Sequence, residues 1–123
     1  MTFGPHTVTH PVLSRTTHDA ANYEITESWN RLRAEARNPV PIFCYPNGGR
    51  DDFGQREIAA LRGLGFLGAV AAEPGYANGV TFRASEDNRF RVQRFGFPDG
   101  LTRTIQYVSG VERIKQLLRK NAA

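Results

Sequence analysis

Val40-Pro-Ile-Phe-Cys-Tyr-Pro-Asn-Gly-Gly49 is the stretch on which the fold turns. Its first half, Val40–Cys44, is apolar and bounded by turn residues, which reads as a short buried strand. Its second half, Tyr45–Gly49, is a loop whose glycines allow backbone angles that other residues avoid. Upstream, Ala21, Ile25, Trp29, Leu32 and Ala36 recur at helical steps and predict an amphipathic helix over roughly 19–37, stopped by Asn38-Pro39. Downstream, Asp51 or Asp52 is placed to cap a second helix carrying Ile58, Leu61 and Leu64 and ending at Gly63 and Gly65. Phe66–Ala72 is another run of small and apolar residues, read as a strand. With the proline-bracketed, extended opening Thr2–Leu13, the order is strand, helix, strand, helix, strand. That alternation predicts an α/β fold with parallel strands joined by crossover helices.

Beyond residue 72 the signals are shorter. Glu73–Asn88 reads as a long loop with one extended piece at Val80–Arg83. Phe90 and Val92 alternate with Arg89, Arg91 and Gln93, as in a half-exposed strand. Leu101, Ile105 and Val108 are spaced for a short helix. Ser109-Gly-Val-Glu112 fits a capping box opening a last helix with Val111, Ile114, Leu117 and Leu118 on one face.

Composition narrows the function. The 123 residues suffice for one domain, and 40% hydrophobic with 23% charged residues excludes wholesale disorder. No apolar run approaches the roughly 20 residues of a membrane span. Met1-Thr-Phe-Gly-Pro-His6 is not the start of a secretory signal, which makes the cytoplasm the default compartment. A single cysteine, Cys44, excludes an internal disulfide framework and a cysteine-rich zinc site. The net charge of +4 comes mostly from fourteen arginines, but they are scattered, with no dense block of the kind nucleic acid favours.

The chemistry concentrates early. His6 and His10 stand four apart on a segment read as extended, where positions i and i+4 share a face and both imidazoles can converge on one metal. Neutral imidazole suits zinc and similar divalent ions. Two histidines at that spacing are also common as plain surface residues. His18 falls in a polar run near a helix start and reads as solvent-exposed.

Phe3-Gly-Pro-His-Thr-Val-Thr-His-Pro-Val-Leu-Ser14 resembles the metal-binding segment of the polysaccharide deacetylases, the NodB-homology family. Ile42-Phe-Cys-Tyr-Pro-Asn-Gly48 is similar to that family's next segment, and Glu24-Ile25 sits where the family places a helix. Gly65-Phe-Leu-Gly-Ala-Val70, Pro74-Gly75 and Val92-Gln-Arg-Phe95 are similar to the later part of one subgroup. The resemblance implies a partial (β/α) barrel and a metal-dependent hydrolase that removes acetyl groups from N-acetylated sugars of a polysaccharide, cleaving a non-peptide C–N bond. It implies that His6 and His10 hold a divalent ion, zinc in the first instance, and that the backbone N–H of Tyr45 donates to the developing oxyanion. The resemblance also places Arg94 on a strand near the site, to orient a carboxylate.

Two family features have no counterpart. The family's opening strand ends in an Asp-Asp pair that supplies the base and a metal carboxylate, whereas only five residues precede His6. The adjacent Asp51-Asp52 reads as helix caps, and no histidine follows His18 to act as the late catalytic acid. A full barrel commonly needs about 250 residues. The expectation is therefore a single, incomplete deacetylase-like domain over 1–123, weak or inactive alone: a truncated or split reading frame, a fragment, or a half whose barrel a second chain completes. The alternative is a non-catalytic remnant of that fold that binds glycan, metal or a partner.

Overall fold

The computed structural model describes residues 1–121. Strands β1 (Ile42–Cys44) and β2 (Gly68–Val70) pair in parallel, Ile42 opposite Gly68 and Cys44 opposite Val70. Single parallel bridges extend this sheet on both sides, Phe3 to Pro39 and Val70 to Val92. On one side the N–H groups of Val40 and Cys44 donate to the carbonyls of Phe3 (2.8 Å) and Pro5 (2.9 Å). On the other, Ala71 donates to Val92 (2.9 Å) and Val92 to Ala69 (3.0 Å). Four segments therefore run side by side in one direction, as the alternation of elements predicts. This two-stranded sheet and its flanking bridges are the strand pairing among the described residues.

Side-chain alternation along the strands divides the sheet into two faces. Phe43, Tyr45, Ala69 and Ala71 are buried in one core with Leu13, Ala21, Ile25, Phe53, Ile58, Leu61, Phe66 and Phe90. Helices α1 (His18–Glu35) and α2 (Gln55–Gly63) supply its middle members and pack on each other. Trp29 and Phe43 close on the ring of Phe66, with centroids 5.3 and 5.9 Å away. Burying each large apolar side chain is worth about 1.5–3 kcal/mol, so this face holds the fold together. Ile42, Cys44 and Val70, on the opposite face, are only half-buried.

Helix α1 matches its sequence pattern. The Thr17 hydroxyl caps it by accepting from the Ala20 N–H at 3.3 Å. Helix α2 is capped differently from expectation. Asp52 closes its own turn by accepting from the Gly49 N–H (2.9 Å), and Glu57 reaches back to the Gly54 N–H (2.8 Å), so the helix opens at Gln55. Arg56 ties α2 to the turn at Leu13–Arg15 by donating to the carbonyls of Leu13 (2.7 Å) and Thr16 (3.0 Å). Gln55 and Arg62 both hold Asp87, which anchors the turn at Asp87–Phe90.

The later reading needs three corrections. Val80–Arg83 is not extended; it lies in α3 (Gly79–Ala84), because the Asn78 side chain accepts from the Val80 N–H at 2.9 Å and turns the chain. The alternation around Phe90 is not a strand, since Asp87–Phe90 is a tight helical turn and only Val92 bridges to the sheet. Ser109 does not cap the last helix. It closes α4 (Leu101–Val108), its hydroxyl donating back to the Gln106 carbonyl (3.4 Å), while Glu112 pairs with Lys115 (2.5 Å) inside α5 (Val111–Asn121). The apolar residues expected on one face, Leu101, Ile105, Val108, Val111, Ile114, Leu117 and Leu118, are all exposed.

Candidate functional site

Because the paired segments share one direction, whatever follows each of them gathers at a single end of the sheet. Such carboxyl ends are where open parallel sheets and barrels place ligands. His6 follows the first segment, the turn Tyr45–Gly49 follows β1, Ala71–Glu73 follows β2, and Arg94 follows Val92. Hydrogen bonds link these connections. Ala72 donates to the Gly48 carbonyl (2.8 Å) and Arg94 donates through its backbone to Glu73 (3.1 Å).

The two imidazoles meet, though not in the way an extended segment would bring them together. Four residues of strand span about 13 Å. Here the ring centroids of His6 and His10 are 4.8 Å apart with the planes at 75°. A turn does this, with Thr7 and His10 at φ of 65° and 60°, a region that costs a residue with a Cβ about 1–2 kcal/mol. The Thr7 hydroxyl donates to the His6 carbonyl (2.5 Å) and accepts from the His10 N–H (3.2 Å). Beneath the turn lies Glu24 of α1. Its Oε2 accepts from the N–H groups of Val8 (2.7 Å) and Thr9 (2.9 Å), and its Oε1 from the Thr9 hydroxyl (2.5 Å). Burial pushes the Glu24 carboxyl up. The Thr9 hydroxyl, the two backbone donors and the Arg31 charge outweigh it and leave the group below its ordinary value.

His6 Nδ1 lies 2.8 Å from the Cys44 carbonyl. A carbonyl only accepts, so this contact assigns the proton to Nδ1 and leaves the Nε2 lone pair for a ligand. Both rings are exposed to solvent. With their centroids 4.8 Å apart the two rings are near enough to offer a divalent ion two nitrogen ligands. Among the described residues no group of three or more His, Cys, Asp and Glu is arranged to hold a metal, so the pair is an incomplete catalytic zinc set. His18 opens α1, exposed, with Nε2 3.0 Å from Asn22 Nδ2.

Tyr45 is a core residue. Its ring stacks on Phe53 at 3.6 Å, and its hydroxyl is buried without a partner among the described residues, so desolvation raises its pKa strongly. Its backbone N–H donates to the Val70 carbonyl at 3.1 Å. That amide is thus engaged in the sheet. In the same turn Pro46 has no N–H, Gly48 donates to the Pro46 carbonyl (2.6 Å), and no partner accepts from Asn47 among the described residues. Asn47 also stands at φ 59°. The Arg94 side chain is exposed, and its charge is felt at the Cys44 thiol, whose pKa burial raises and Arg94 partly lowers. Cys44 thus has His6 at its carbonyl and Arg94 within electrostatic reach of its sulfur. Beside His6 a cleft of about 810 Å³ opens between the first segment and α1, with Phe3, Pro5, Ser28 and Leu32 among its walls.

Glu24 and Asn47 carried no role in the sequence reading. The signal for Glu24 was an acid at a position sharing the buried face of Ala21, Ile25 and Ser28.

No protein-family model matches the chain, and no curated protein matches it in sequence. In structure it is similar to the Streptococcus pyogenes deacetylase PplD solved in complex with acetate, at a TM-score of 0.61 and 20% identity. The match covers 76% of this chain and 38% of that one, so the chain spans well under half the length of its structural neighbour. The chain therefore has a deacetylase-like fold. No helix among the described residues is long and apolar enough to cross a membrane.

Proposed function

We propose that this chain is part of a hydrolase that removes acetyl groups from N-acetylated sugars of a polysaccharide, on a partial (β/α) barrel of the NodB-homology type. The observation that carries this reading is the pair of imidazoles held 4.8 Å apart at the carboxyl end of a parallel sheet, on a fold shared with a deacetylase. His6, through Nε2, and His10 would hold the ion. A divalent metal there, zinc by the preference of imidazole, would polarise the acetamide carbonyl and make water a nucleophile near neutral pH. The turn after β1 lies at the same end, and its Asn47 N–H, without a protein partner among the described residues, would be the donor to the negative charge as the carbonyl becomes tetrahedral. The Tyr45 N–H could serve only by leaving Val70. Arg94 would orient a carboxylate through its guanidinium fork.

That carboxylate and the general base are the missing parts. The cleft beside His6 flanks the segment at residues 3–5, whose far edge a further parallel segment could extend. A segment bearing the Asp-Asp strand, on a second chain or elsewhere in the same protein, would supply the missing parts. Mixing the chain with such a segment and zinc should yield acetate from N-acetylglucosamine oligomers, and His6→Ala/His10→Ala should abolish it. Continued inactivity in a verified complex would refute the hydrolase reading. The incomplete ligand set favours a second reading, a non-catalytic remnant that binds glycan, metal or a partner. Calorimetry showing oligosaccharide binding without turnover in that complex would select it.

A further inference from the structure

We infer that Glu24 is the positioning residue of the candidate site: from α1 it holds the turn at residues 7–9 so that the His6 and His10 rings stand edge to face, 4.8 Å apart. The role of the pair rests on the reading above, whereas the geometric claim does not. Three observations converge. Glu24 is 6% exposed on the buried face of α1 with Ala21, Ile25 and Ser28, and a carboxylate is not left there without strong partners. It has three donors, all from the turn between the two histidines. The turn needs holding, because Thr7 and His10 both occupy the left-handed region with side chains that disfavour it.

The connection to each ring is short. Val8 and Thr9 are the two residues directly before His10, and fixing their N–H groups fixes the direction from which the His10 Cα leaves the turn. On the other side, the Thr7 hydroxyl bridges the His6 carbonyl and the His10 N–H, so the turn closes as one unit. His6 is then docked by Nδ1 on the Cys44 carbonyl. Glu24 touches neither imidazole in this arrangement. It acts on them through backbone, and its effect should appear in ring geometry and tautomer as well as in ligand affinity.

A glutamine at this position tests the point. Its amide oxygen can accept from both backbone donors while its NH2 group donates to the Thr9 oxygen, so Glu24→Gln keeps the connections and loses the charge. Glu24→Ala leaves both N–H groups without an acceptor. Thr9→Val removes the hydroxyl bond alone, from an exposed position, and does not threaten the fold.

The readout is the 1H–15N spectrum of the imidazoles in the metal-free protein, with His18 as an internal reference, followed by a zinc titration against a chromophoric chelator. Wild type should show His6 protonated on Nδ1 and a proton there that exchanges slowly. Glu24→Ala should lose that signature and bind zinc about 10- to 100-fold more weakly, as removal of outer supporting groups commonly does. Thr9→Val should fall between, and Glu24→Gln should restore the wild-type His6 signal. If Glu24→Ala does not fold by circular dichroism, the Thr9→Val and Glu24→Gln pair decides. A His6 signature unchanged in Glu24→Ala, or in Thr9→Val where Glu24→Ala is unfolded, overturns the inference. A wild-type protein that binds zinc no better than His6→Ala/His10→Ala, yet shows the tautomer change, instead refutes the metal reading and leaves the positioning role standing.

Discussion

Gly48 is the residue whose replacement discriminates most sharply between a turn that merely connects two elements and one that is locked to its neighbours. It stands at φ 68°, where any residue with a Cβ is strained by about 1–2 kcal/mol. An added Cβ would lie 2.6 Å from the Ala72 backbone nitrogen and 3.1 Å from the Tyr45 carbonyl oxygen. Neither neighbour is a side chain that can swing away, so the Ala72 N–H bond to the Gly48 carbonyl must lengthen or break, adding about 0.5–1.5 kcal/mol. Gly48→Ala should therefore cost about 1.5–3.5 kcal/mol. Gly65 is the control, since it too has a positive φ, 79°, but a Cβ there meets nothing within 4 Å. Gly65→Ala should cost only the conformational part, about 1–2 kcal/mol. Urea unfolding followed by the fluorescence of the single tryptophan, Trp29, measures both, and an unchanged slope confirms that stability alone has moved. Equal costs for the two variants would refute the claim that the ends of β1 and β2 are locked through Gly48.

Other perturbations test the core and its charges. Tyr45→Phe removes a buried hydroxyl with no partner and should be neutral or stabilise by up to about 1 kcal/mol; a loss above that figure in the same unfolding assay would mean the hydroxyl is bonded. Arg56→Ala strips two carbonyl bonds and the partner of Glu57, which is 2% exposed, and should cost about 2 kcal/mol, discounted because the arginine itself is partly solvated. Glu24 titrates below its ordinary value when folded, so its contribution is complete above the unfolded pKa and disappears as pH falls through the folded one. Stability measured from pH 6 down to pH 2 should decline through the acid range, and Glu24→Gln should flatten that decline.

The core was legible because periodicity reports burial directly. Ala21 and Ile25 on α1, Phe43 and Tyr45 on β1, and Ile58 and Leu61 on α2 follow patterns that water enforces regardless of detail. Ends of elements were less legible because several polar residues compete for each orphan backbone group. Asp52 could cap α2 or close its own turn, and the nearness of the Gly49 N–H decided it. At Val80–Arg83 strand propensity lost to a single asparagine cap, since a short segment with no sheet partner gains nothing from being extended. The histidine pair was found by its residue types, whereas its geometry was misread. Strand logic put His6 and His10 on one face, while the turn that unites them depends on Glu24, fourteen residues beyond His10 in sequence, and no local pattern encodes that contact.

The same contact bears on whether the chain can perform hydrolysis unaided. A general base needs a lone pair directed at water and a pKa that allows it to hold the proton it takes. Glu24 is the carboxylate beneath the imidazole pair, yet its oxygens accept three hydrogen bonds and its pKa lies below the ordinary range, both of which oppose proton uptake. Asp52 is turned toward Gly49, and Glu57 is engaged by Gly54 and Arg56. These acids stabilise the scaffold. On the proposed reading the imidazoles would take the ligand while Glu24, Asp52 and Glu57 are committed to structure, the division expected if the reacting base enters from another segment. Acetate release by the chain alone with zinc, at a rate comparable to the complemented complex, would contradict this division of labour at once.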